Sequence, residues 1–429
     1  MGPALSPAQA ALRDGQAALQ ANRPDEAIAH FRRALAAGPS PTTERAYVEA
    51  HFRSGRGETV VGELEQATRE RPGEALAHYG LGLAYFAKGA ATEPQATAQL
   101  AQACALEPDV AEYHFRLGVV HLESERYPEA VASLKRARDQ DPAPARHYVP
   151  LAQALSRQGD RAGALAALRE ILTRSPDERD LQVARRVMAR LVDPFREFPK
   201  AVESDFQRGL EFLEKADSPQ QALVQFEEIL ERFPDLAVVH AALGLCFQRL
   251  DDAGRAMDEL RRALELAPED PRNHLYIADL YFSRERFDRA AESYRAAVQR
   301  DPLSDPAYER LGEIALQRGD SREATAQFQK VVVLRPSDQG ARQRYALALA
   351  AQGELDLADR ELSAIAEKDP KNAEVLLRLG MLNLDRKQRE KDPARARAHG
   401  ERAARYLERV LDLQPQNVIA ARLLQALKT

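Results

Sequence analysis

The 429-residue sequence is poor in cysteine and contains no tryptophan. Its two cysteines, Cys104 and Cys246, lie in different halves of the chain. They also fall at different positions of the repeating pattern described below, so a disulfide between them is not expected. No Cys-x-x-Cys pair points to a zinc ribbon or a redox site. The sequence therefore predicts neither a disulfide framework nor a cysteine-based metal centre.

Long apolar runs and an excess of basic charge are also missing. No stretch is long enough to span a bilayer, so no membrane insertion is expected. The N-terminal residues lack the basic start and apolar run of a signal peptide, which makes the cytoplasm the expected compartment. A periplasmic protein whose signal sequence had been removed would give the same pattern. The formal net charge is −5 with acidic and basic residues interspersed, so no nucleic-acid partner is expected.

Sequence motifs of catalysis are absent as well. The chain has no Gly-rich phosphate loop, nucleophile elbow, His-Glu-x-x-His pair or paired-carboxylate pattern. We therefore expect no enzymatic activity, no catalytic residues, no cofactor and no metal site.

The feature that the sequence does have is a strict period of 34 residues. Prolines recur at this interval over more than a hundred residues, at Pro234, Pro268, Pro302, Pro336 and Pro370. A fixed period of this length is typical of a solenoid built from supersecondary units, in which each unit contacts only its neighbours.

The spacing inside one unit indicates a helix-turn-helix hairpin. If the proline is numbered 32, apolar or small residues occupy positions 4, 7, 8 and 11, then 20, 24 and 27. Steps of three and four place each set on one face of a helix. Between them, Gly319 supplies a left-handed conformation that ends the first helix, and Asp320 or Ser321 caps the second. Small residues at 8 and 20, such as Gly312 and Ala324, predict the closest approach of the two helices.

This pattern resembles the tetratricopeptide repeat family, which has small residues at 8 and 20, an aromatic at 24 and proline at 32. The resemblance covers nearly the whole chain. It implies an all-α fold, an α-solenoid of about eleven repeats. It also implies a non-enzymatic scaffold or adaptor that binds peptide or helical segments of protein partners in a concave groove. The ratio of 51 Arg to 10 Lys suggests a GC-rich, bacterial genome.

The register breaks after the fifth repeat. One amphipathic helix at residues 177–192, which places Leu181, Ala184, Val187, Met188 and Leu191 on one face, is followed by a two-proline connector at 194–200. A similar lone helix at 416–429 carries apolar residues at Val418, Ala421, Leu424 and Leu427. Repeat arrays need a terminal helix to cover their last open face. The sequence thus predicts an N-terminal module at 1–193 with about five repeats and cap 177–192. A C-terminal module at 201–429 follows, with about six repeats and cap 416–429.

The last repeat has eleven extra residues between its two helices. Asp392 followed by Pro393 predicts the start of its second helix, as an N-cap followed by proline at the first helical position. Residues 385–402 contain seven Lys or Arg and four Asp or Glu. This extension is interpreted either as a solvated surface or as a basic arm for an acidic partner.

Four of the nine histidines share repeat position 4: His78, His114, His240 and His274. Position 4 is an aromatic packing site in this family. Because no Cys or carboxylate stands at ligand spacing beside them, we expect packing and not metal binding.

Candidate binding residues lie at positions 2, 5, 9 and 12 of the first helix, which line the groove in this family. We call these positions the groove stripe. In the N-terminal module the stripe is apolar and includes Tyr79, Leu83, Phe86, Phe115, Val119 and Leu122. It is interpreted either as a binding groove for an apolar segment or as extra packing between repeats.

In the C-terminal module the groove is charged. Position 6 carries an arginine in three repeats, Arg310, Arg344 and Arg378, which could engage an acidic segment. The alternative is local pairing, of Arg310 with Glu313 and of Arg378 with Glu374. Arg344 has no acidic residue within one helical turn. The Lys, Asn and Arg pattern with which some family members clamp the carboxylates of chaperone C-termini appears in no window, so chaperones are not expected partners.

The functional alternatives remain open at this level. The alternative to a scaffold is a role in cell-envelope assembly or secretion, in pilus, polysaccharide or outer-membrane machinery, for which bacterial relatives are used. An accessory domain of an enzyme complex is a third possibility. The fold serves many complexes and does not name a partner.

Overall fold

The computed structural model describes residues 5–193, 195, 198–215 and 217–428. Within these residues it contains 24 α-helices, three short 3-10 segments and no strand. Neighbouring helices pack pairwise as hairpins. The predicted all-α repeat fold is confirmed.

The chain divides into two compact units, Met1–Val187 and Met188–Thr429. The first unit holds five hairpins, and the division falls within the next helix, α11. The helices are α1 Pro7–Gln20, α2 Pro24–Ala37, α3 Pro41–Arg53, α4 Gly57–Glu70, α5 Ala75–Lys88, α6 Glu93–Leu106, α7 Ala111–Glu123, α8 Tyr127–Gln140, α9 Tyr148–Gln158, α10 Arg161–Ile171 and α11 Glu178–Leu191.

The second unit holds six hairpins and one further helix. They are α12 Glu203–Glu214, α13 Pro219–Arg232, α14 Ala237–Arg249, α15 Ala253–Leu266, α16 Pro271–Ser283, α17 Phe287–Arg300, α18 Asp305–Gln317, α19 Ser321–Leu334, α20 Gln339–Gln352, α21 Leu355–Lys368, α22 Ala373–Arg389, α23 Pro393–Leu413 and α24 Val418–Lys428. Eleven hairpins agree with the predicted number of repeats.

One residue turns the chain between the two helices in each of the first ten repeats. At repeat position 15 the backbone is left-handed, with φ between 45° and 110°. Five of these residues are glycines and five are not: Gly55, Gly89, Gly159, Gly319, Gly353, Asn22, Glu125, Asp217, Asp251 and Glu285. After Gly319, the Asp320 side chain accepts a hydrogen bond from the Glu323 amide at 3.0 Å. The turn chemistry predicted from the sequence is thus confirmed.

Position 8 is where the helices of a hairpin meet. A Cβ added to Gly312 would lie 2.8 Å from the ring of Phe328, and one added to Gly118 would lie 2.6 Å from Leu134. Both neighbours occupy position 24, not position 20 as the sequence pattern suggested. At Gly244 the carbonyl oxygen of Ala256, at position 20, follows at 3.3 Å. Small residues at position 8 therefore make room mainly for the large side chain at 24.

The eleventh repeat differs from the others in the way that the sequence predicted. Helix α22 continues through position 15 to Arg389, and α23 begins at Pro393. Asp392 caps α23, because its side chain accepts from the amides of Ala394 at 2.8 Å and Arg395 at 3.3 Å.

Helix α24 has a different apolar face from the one predicted. Val418 and Ala421 are exposed, whereas Ala420 and Leu424 are buried against Leu407 and Val410 of α23. The predicted set was spaced by three residues throughout, and such a row drifts around a helix of 3.6 residues per turn. The face that packs is Ala420, Leu423, Leu424 and Leu427.

Candidate functional site

Repeat position 4 contacts the preceding repeat through a hydrogen bond. In several repeats its side chain donates to the carbonyl oxygen of the position-32 proline, six residues earlier. The pairs are His78–Pro72 at 3.1 Å, His114–Pro108 at 2.9 Å, Tyr148–Pro142 at 3.0 Å and His240–Pro234 at 2.8 Å. Because a carbonyl only accepts, each of these histidines carries a proton on Nε2. The histidines thus serve the junction between repeats.

Candidate chemical sites are few. Among the described residues, no group of three or more His, Cys, Asp or Glu side chains is placed to hold a metal ion. Cys104 and Cys246 are both buried, and burial raises the pKa of the Cys104 thiol to about 11 and that of Cys246 to about 12. Both therefore stay protonated and unreactive at neutral pH. No helix in the described ranges has the length and apolar character needed to cross a membrane.

The apolar stripe of the first unit is largely covered by protein. Tyr79, Leu83, Phe115 and Leu122 are buried, whereas Phe86 and Val119 are half-buried. The Tyr79 ring packs on Tyr113, with ring centroids 4.9 Å apart. For the four buried residues these contacts favour packing between repeats. Phe86 and Val119 are the members with surface left for a partner.

A carboxylate organises the polar side of this stripe. Glu112 Oε1 accepts from Tyr79 Oη at 3.1 Å and from Arg116 Nε at 2.8 Å, and Arg146 lies 2.8 Å from Oε2. Burial raises the pKa of Glu112, but the two guanidinium groups outweigh it and hold the pKa below its usual value. Both guanidinium groups also lie over the Phe115 ring, at 5.1 and 5.3 Å from its centroid. Tyr79 and Phe115 are therefore held by the protein's own charges.

The three position-6 arginines each have an acidic partner. Arg310 binds Glu313 and Arg378 binds Glu374, both at 2.7 Å, as the local alternative predicted. Arg344 binds Glu309 of the preceding repeat at 2.6 Å, a contact that no local spacing could indicate. Glu309 also forms an ion pair with Arg335, whose Nη1 lies 3.1 Å from Glu309 Oε2. All three arginine side chains keep at least a third of their surface exposed, so they can exchange partners.

The extension of the last repeat is paired rather than free. Arg386 contacts Asp356 and Asp359, Arg402 lies 3.6 Å from Asp359, and Arg389 lies 2.8 Å from Asp385. These pairs favour the solvated-surface interpretation over a basic arm.

The second unit contains an apolar cavity that the sequence reasoning did not select. Its volume is about 180 Å³. We call it the stripe cavity because α14 lines it with Val238, Ala241 and Leu245, at stripe positions 2, 5 and 9. The remaining lining residues are Phe195, Phe206, Leu210, Leu213, Glu214, Ala242, Asp270, Arg272, Asn273 and Tyr276. The signal was visible in the sequence as a small residue at position 5 followed by leucine at position 9.

The polar rim of the stripe cavity is rigidly held. Arg272 Nε donates to Asp270 Oδ1 at 3.0 Å. The buried amide of Asn273 donates to the carbonyl oxygens of Ala263 and Ala267, each at 3.0 Å. Neither donor needs a ligand to satisfy it, yet the Arg272 side chain remains about one-third exposed.

A second missed feature is a pair of exposed apolar side chains. Leu347 and Met381 occupy position 9 in consecutive repeats and are 45% and 49% exposed. Each lies three residues after an arginine of the position-6 series, Arg344 and Arg378 respectively.

Family models agree with the geometry. A model for the tetratricopeptide repeat matches residues 4–42, 44–93, 94–146, 206–271 and 275–341, which is more than half of the chain. A second tetratricopeptide repeat model matches residues 121–191.

Similarity to individual proteins is confined to parts of them. The chain is 27% identical to the human mitochondrial import receptor subunit TOM70 over 142 residues, 33% of this chain and 23% of that protein. It is 24% identical to Hsp70-Hsp90 organizing protein 1 of Glycine max over 215 residues, 47% of this chain and 37% of that protein. The chain thus spans well under half the length of these relatives.

Among solved structures, pilF of Pseudomonas aeruginosa is 25% identical, with a TM-score of 0.42. That match covers 53% of this chain and 97% of the other. The repeat-family matches, the 34-residue register and the eleven helical hairpins lead to one assignment: the chain belongs to the tetratricopeptide repeat family.

Proposed function

We propose that this chain is a non-enzymatic scaffold that binds a peptide or helical segment of a protein partner along the groove stripe of its second unit. The observation that carries the proposal is the stripe cavity. Leu210, Val238 and Leu245 are only partly buried there in the absence of a partner. Apolar surface of this kind stabilises a complex when a partner covers it.

The size of the cavity favours a protein side chain as its occupant. Pockets that enclose small-molecule ligands have volumes of about 300–1,000 Å³, whereas this cavity has about 180 Å³. One large apolar side chain fits such a volume. The helix surfaces on either side then support the rest of the peptide.

Further contacts follow along the same unit. A partner that continued past the cavity would reach Leu347 and Met381, whose exposed side chains offer two more apolar contacts. The neighbouring arginines would pair with acidic residues of the partner in place of Glu309 and Glu374. Exposed charge pairs are weak and screened by salt, so this part of the interaction is expected to depend on ionic strength.

The first unit contributes a smaller surface in this proposal. Phe86 and Val119 supply accessible apolar contacts, while Tyr79, Leu83, Phe115 and Leu122 support them from beneath. The sequence predicted the main binding surface in the first module. We place it in the second unit instead, because most of the predicted residues of the first module are buried.

We propose only that the partner is a protein, without naming which one. The relatives are named for an import receptor and for an organiser of two chaperones. The carboxylate-clamp pattern for chaperone C-termini is missing from this sequence, so we do not extend those partners to this chain.

Affinity capture with matched variants tests the proposal. The chain and its Leu245→Glu variant are used to capture proteins from the source cell, and bound proteins are compared by quantitative mass spectrometry. Val224→Glu is the control, because Val224 is an exposed apolar residue of α13 outside the stripe. We expect Leu245→Glu to lose the principal partner and Val224→Glu to retain it, with folding verified by circular dichroism.

The competing assignments are tested in the same experiment. Val119→Glu examines the first unit, and Arg344→Glu with Arg378→Glu examines the charged positions. If Leu245→Glu keeps every partner while either of the other variants loses them, the stripe cavity is not the recognition site.

A further inference from the structure

One buried side chain of the stripe cavity, that of Asn273, has a polar atom that the fold does not use. Asn273 is 3% exposed and lines the cavity. Its Nδ2 donates to the carbonyl oxygens of Ala263 and Ala267, each at 3.0 Å. Because a carbonyl oxygen only accepts, these two bonds identify the nitrogen of the amide, and Oδ1 is turned away from both carbonyl groups. Oδ1 receives no hydrogen bond from the described residues.

The Oδ1 atom of Asn273 is also open to solvent. Among the described residues, the side-chain atoms that are both enclosed and without a partner include Asn383 Oδ1 but not Asn273 Oδ1. Asn273 Oδ1 therefore keeps contact with solvent, although the residue as a whole is almost fully buried. The stripe cavity is the open space that Asn273 borders, so the geometry places this acceptor at the wall of the cavity.

Capping of helix α15 does not explain why an amide is present here. The Ala263 carbonyl oxygen already accepts from the Ala267 amide at 2.9 Å, and the Ala267 carbonyl oxygen accepts from the Asp270 amide at 3.2 Å. In other repeats of the second unit, position 3 is apolar and fully buried: Val239, Ala307, Ala341 and Val375. An amide at this position loses hydration that an apolar residue would not lose. What Asn273 adds is an acceptor that faces the cavity.

The other polar groups of the cavity also favour an occupant with a donor. The carboxylate oxygens of Asp270 both accept from Arg272, through its backbone amide and its guanidinium group. Glu214 lines the cavity, is exposed, and has no ion pair or hydrogen bond with the described residues. The Tyr276 hydroxyl can either donate or accept. An occupant therefore meets acceptors without donors at Asn273 and Glu214, between walls that are otherwise apolar.

We infer that the stripe cavity recognises a tyrosine side chain of the partner, whose ring lies against the apolar walls and whose hydroxyl donates to Asn273 Oδ1. Phe206, Leu210 and Leu245 are among the residues that would contact the ring. A phenylalanine would leave a buried acceptor without a donor, and a lysine would have to carry its charge out of water. The inference rests on the proposed role of the cavity as the partner-binding site, and it adds which side chain enters.

Capped amino acids serve as probes that do not require the partner to be known. The N-acetyl amides of tyrosine, phenylalanine, O-methyltyrosine, tryptophan and lysine are titrated into the full-length protein, and binding is measured by saturation-transfer NMR. We expect tyrosine to bind at least about threefold more tightly than phenylalanine or O-methyltyrosine, because only tyrosine can donate a hydrogen bond from its ring to Oδ1. Tryptophan and lysine should both bind more weakly than tyrosine.

Protein variants locate this preference at the cavity. Leu245→Glu should abolish binding of every probe, whereas Val224→Glu, at an exposed apolar position of α13, should leave binding unchanged. In Asn273→Ala, tyrosine and phenylalanine should bind equally, because the acceptor is gone. If Asn273→Ala does not fold, the comparison of tyrosine with O-methyltyrosine on the unmodified chain decides by itself.

Several results would overturn the inference. They are that no probe binds, that phenylalanine or O-methyltyrosine binds as tightly as tyrosine, that tryptophan or lysine binds more tightly, or that the preference for tyrosine persists in folded Asn273→Ala.

Failure of the proposed function gives a different result. In that case the probes show the preference for tyrosine, yet Leu245→Glu leaves the captured cellular partners unchanged. If the inference alone fails, Leu245→Glu loses the principal partner but the probes show no preference for tyrosine.

Discussion

At the scale of single residues, glycine at position 8 sets how closely the helices of a repeat can approach. We predict that Gly312→Val destabilises the protein by roughly 1–3 kcal/mol, because the added side chain collides with the buried Phe328 ring. The control is Gly62→Val, since a Cβ at Gly62 in α4 meets no atom within 4 Å. Urea unfolding of both variants measures the difference. A change below about 0.5 kcal/mol for Gly312→Val would contradict the register.

A buried carboxyl group gives a second prediction at this scale. Glu44 lies in α3 against Gly80 of α5, and a side chain on Gly80 would collide with its carboxyl oxygen. Burial raises the pKa of Glu44 to about 7, with a contribution from Glu74, while Arg71 acts in the opposite direction. The folded protein therefore binds this proton more tightly than the unfolded chain, whose pKa is near 4.5. Stability should fall as the pH rises from about 4.5 to about 7, and remain lower above that range.

The substitution Glu44→Gln should remove this dependence. At pH 8 we expect the variant to be more stable than the unmodified chain by about 1–3 kcal/mol, and at pH 4 to differ little. Glu129→Gln, at an exposed position of α8, is the control. Denaturant melts across pH 4–8 provide the measurement, and parallel curves for Glu44→Gln and the unmodified chain would refute the prediction.

Residue type and repeat position alone do not determine which side chains are available for binding. Leu83 and Leu347 are both leucines at position 9, yet the first is 8% and the second 45% exposed. The difference arises from side chains on neighbouring repeats, which a pattern read within one repeat does not contain. Arg344 illustrates the same limit, because its partner Glu309 lies 35 positions earlier in the chain. The sequence was therefore sufficient for the repeat register and insufficient for the binding surface.

At the scale of helices, boundaries were predictable wherever a capping residue or a proline marks them. Asp392 caps α23 and Pro393 begins it, as expected from the pair alone. The buried face of α24 was not predictable from apolar residues spaced three apart, because this short helix has apolar residues on two neighbouring faces. Packing against α23 determines which of the two faces is buried.

Helix α11 is predicted to cover the open end of the first five repeats. Its residues Leu181, Ala184, Val187 and Met188 are buried. A fragment of residues 1–193 should unfold cooperatively, whereas a fragment of residues 1–176 should aggregate or melt over a broad range, because the apolar face beneath α11 becomes exposed. Thermal circular dichroism and light scattering test this. Identical behaviour of the two fragments would mean that α11 is a linker.

At the scale of the molecule, the two modules predicted from the sequence should fold independently. Fragments 1–193 and 200–429 are each expected to be soluble and helical, since each contains its own repeats and terminal helix. The sum of their circular dichroism spectra should reproduce that of the full chain. Loss of helix in either fragment would contradict the predicted boundary.

The hydrogen bond between position 4 and the preceding proline has a consequence for how such a chain can change in length. Its acceptor and its donor come from different repeats, so the junctions that contain it have the same two halves. Deleting residues 305–338 removes one repeat and brings the Pro302 carbonyl to Arg342, which already reaches the Pro336 carbonyl at 3.4 Å. A deletion of 34 residues therefore creates no new kind of junction. At this junction a whole repeat can therefore be lost while the hydrogen bond between position 4 and the preceding proline is kept.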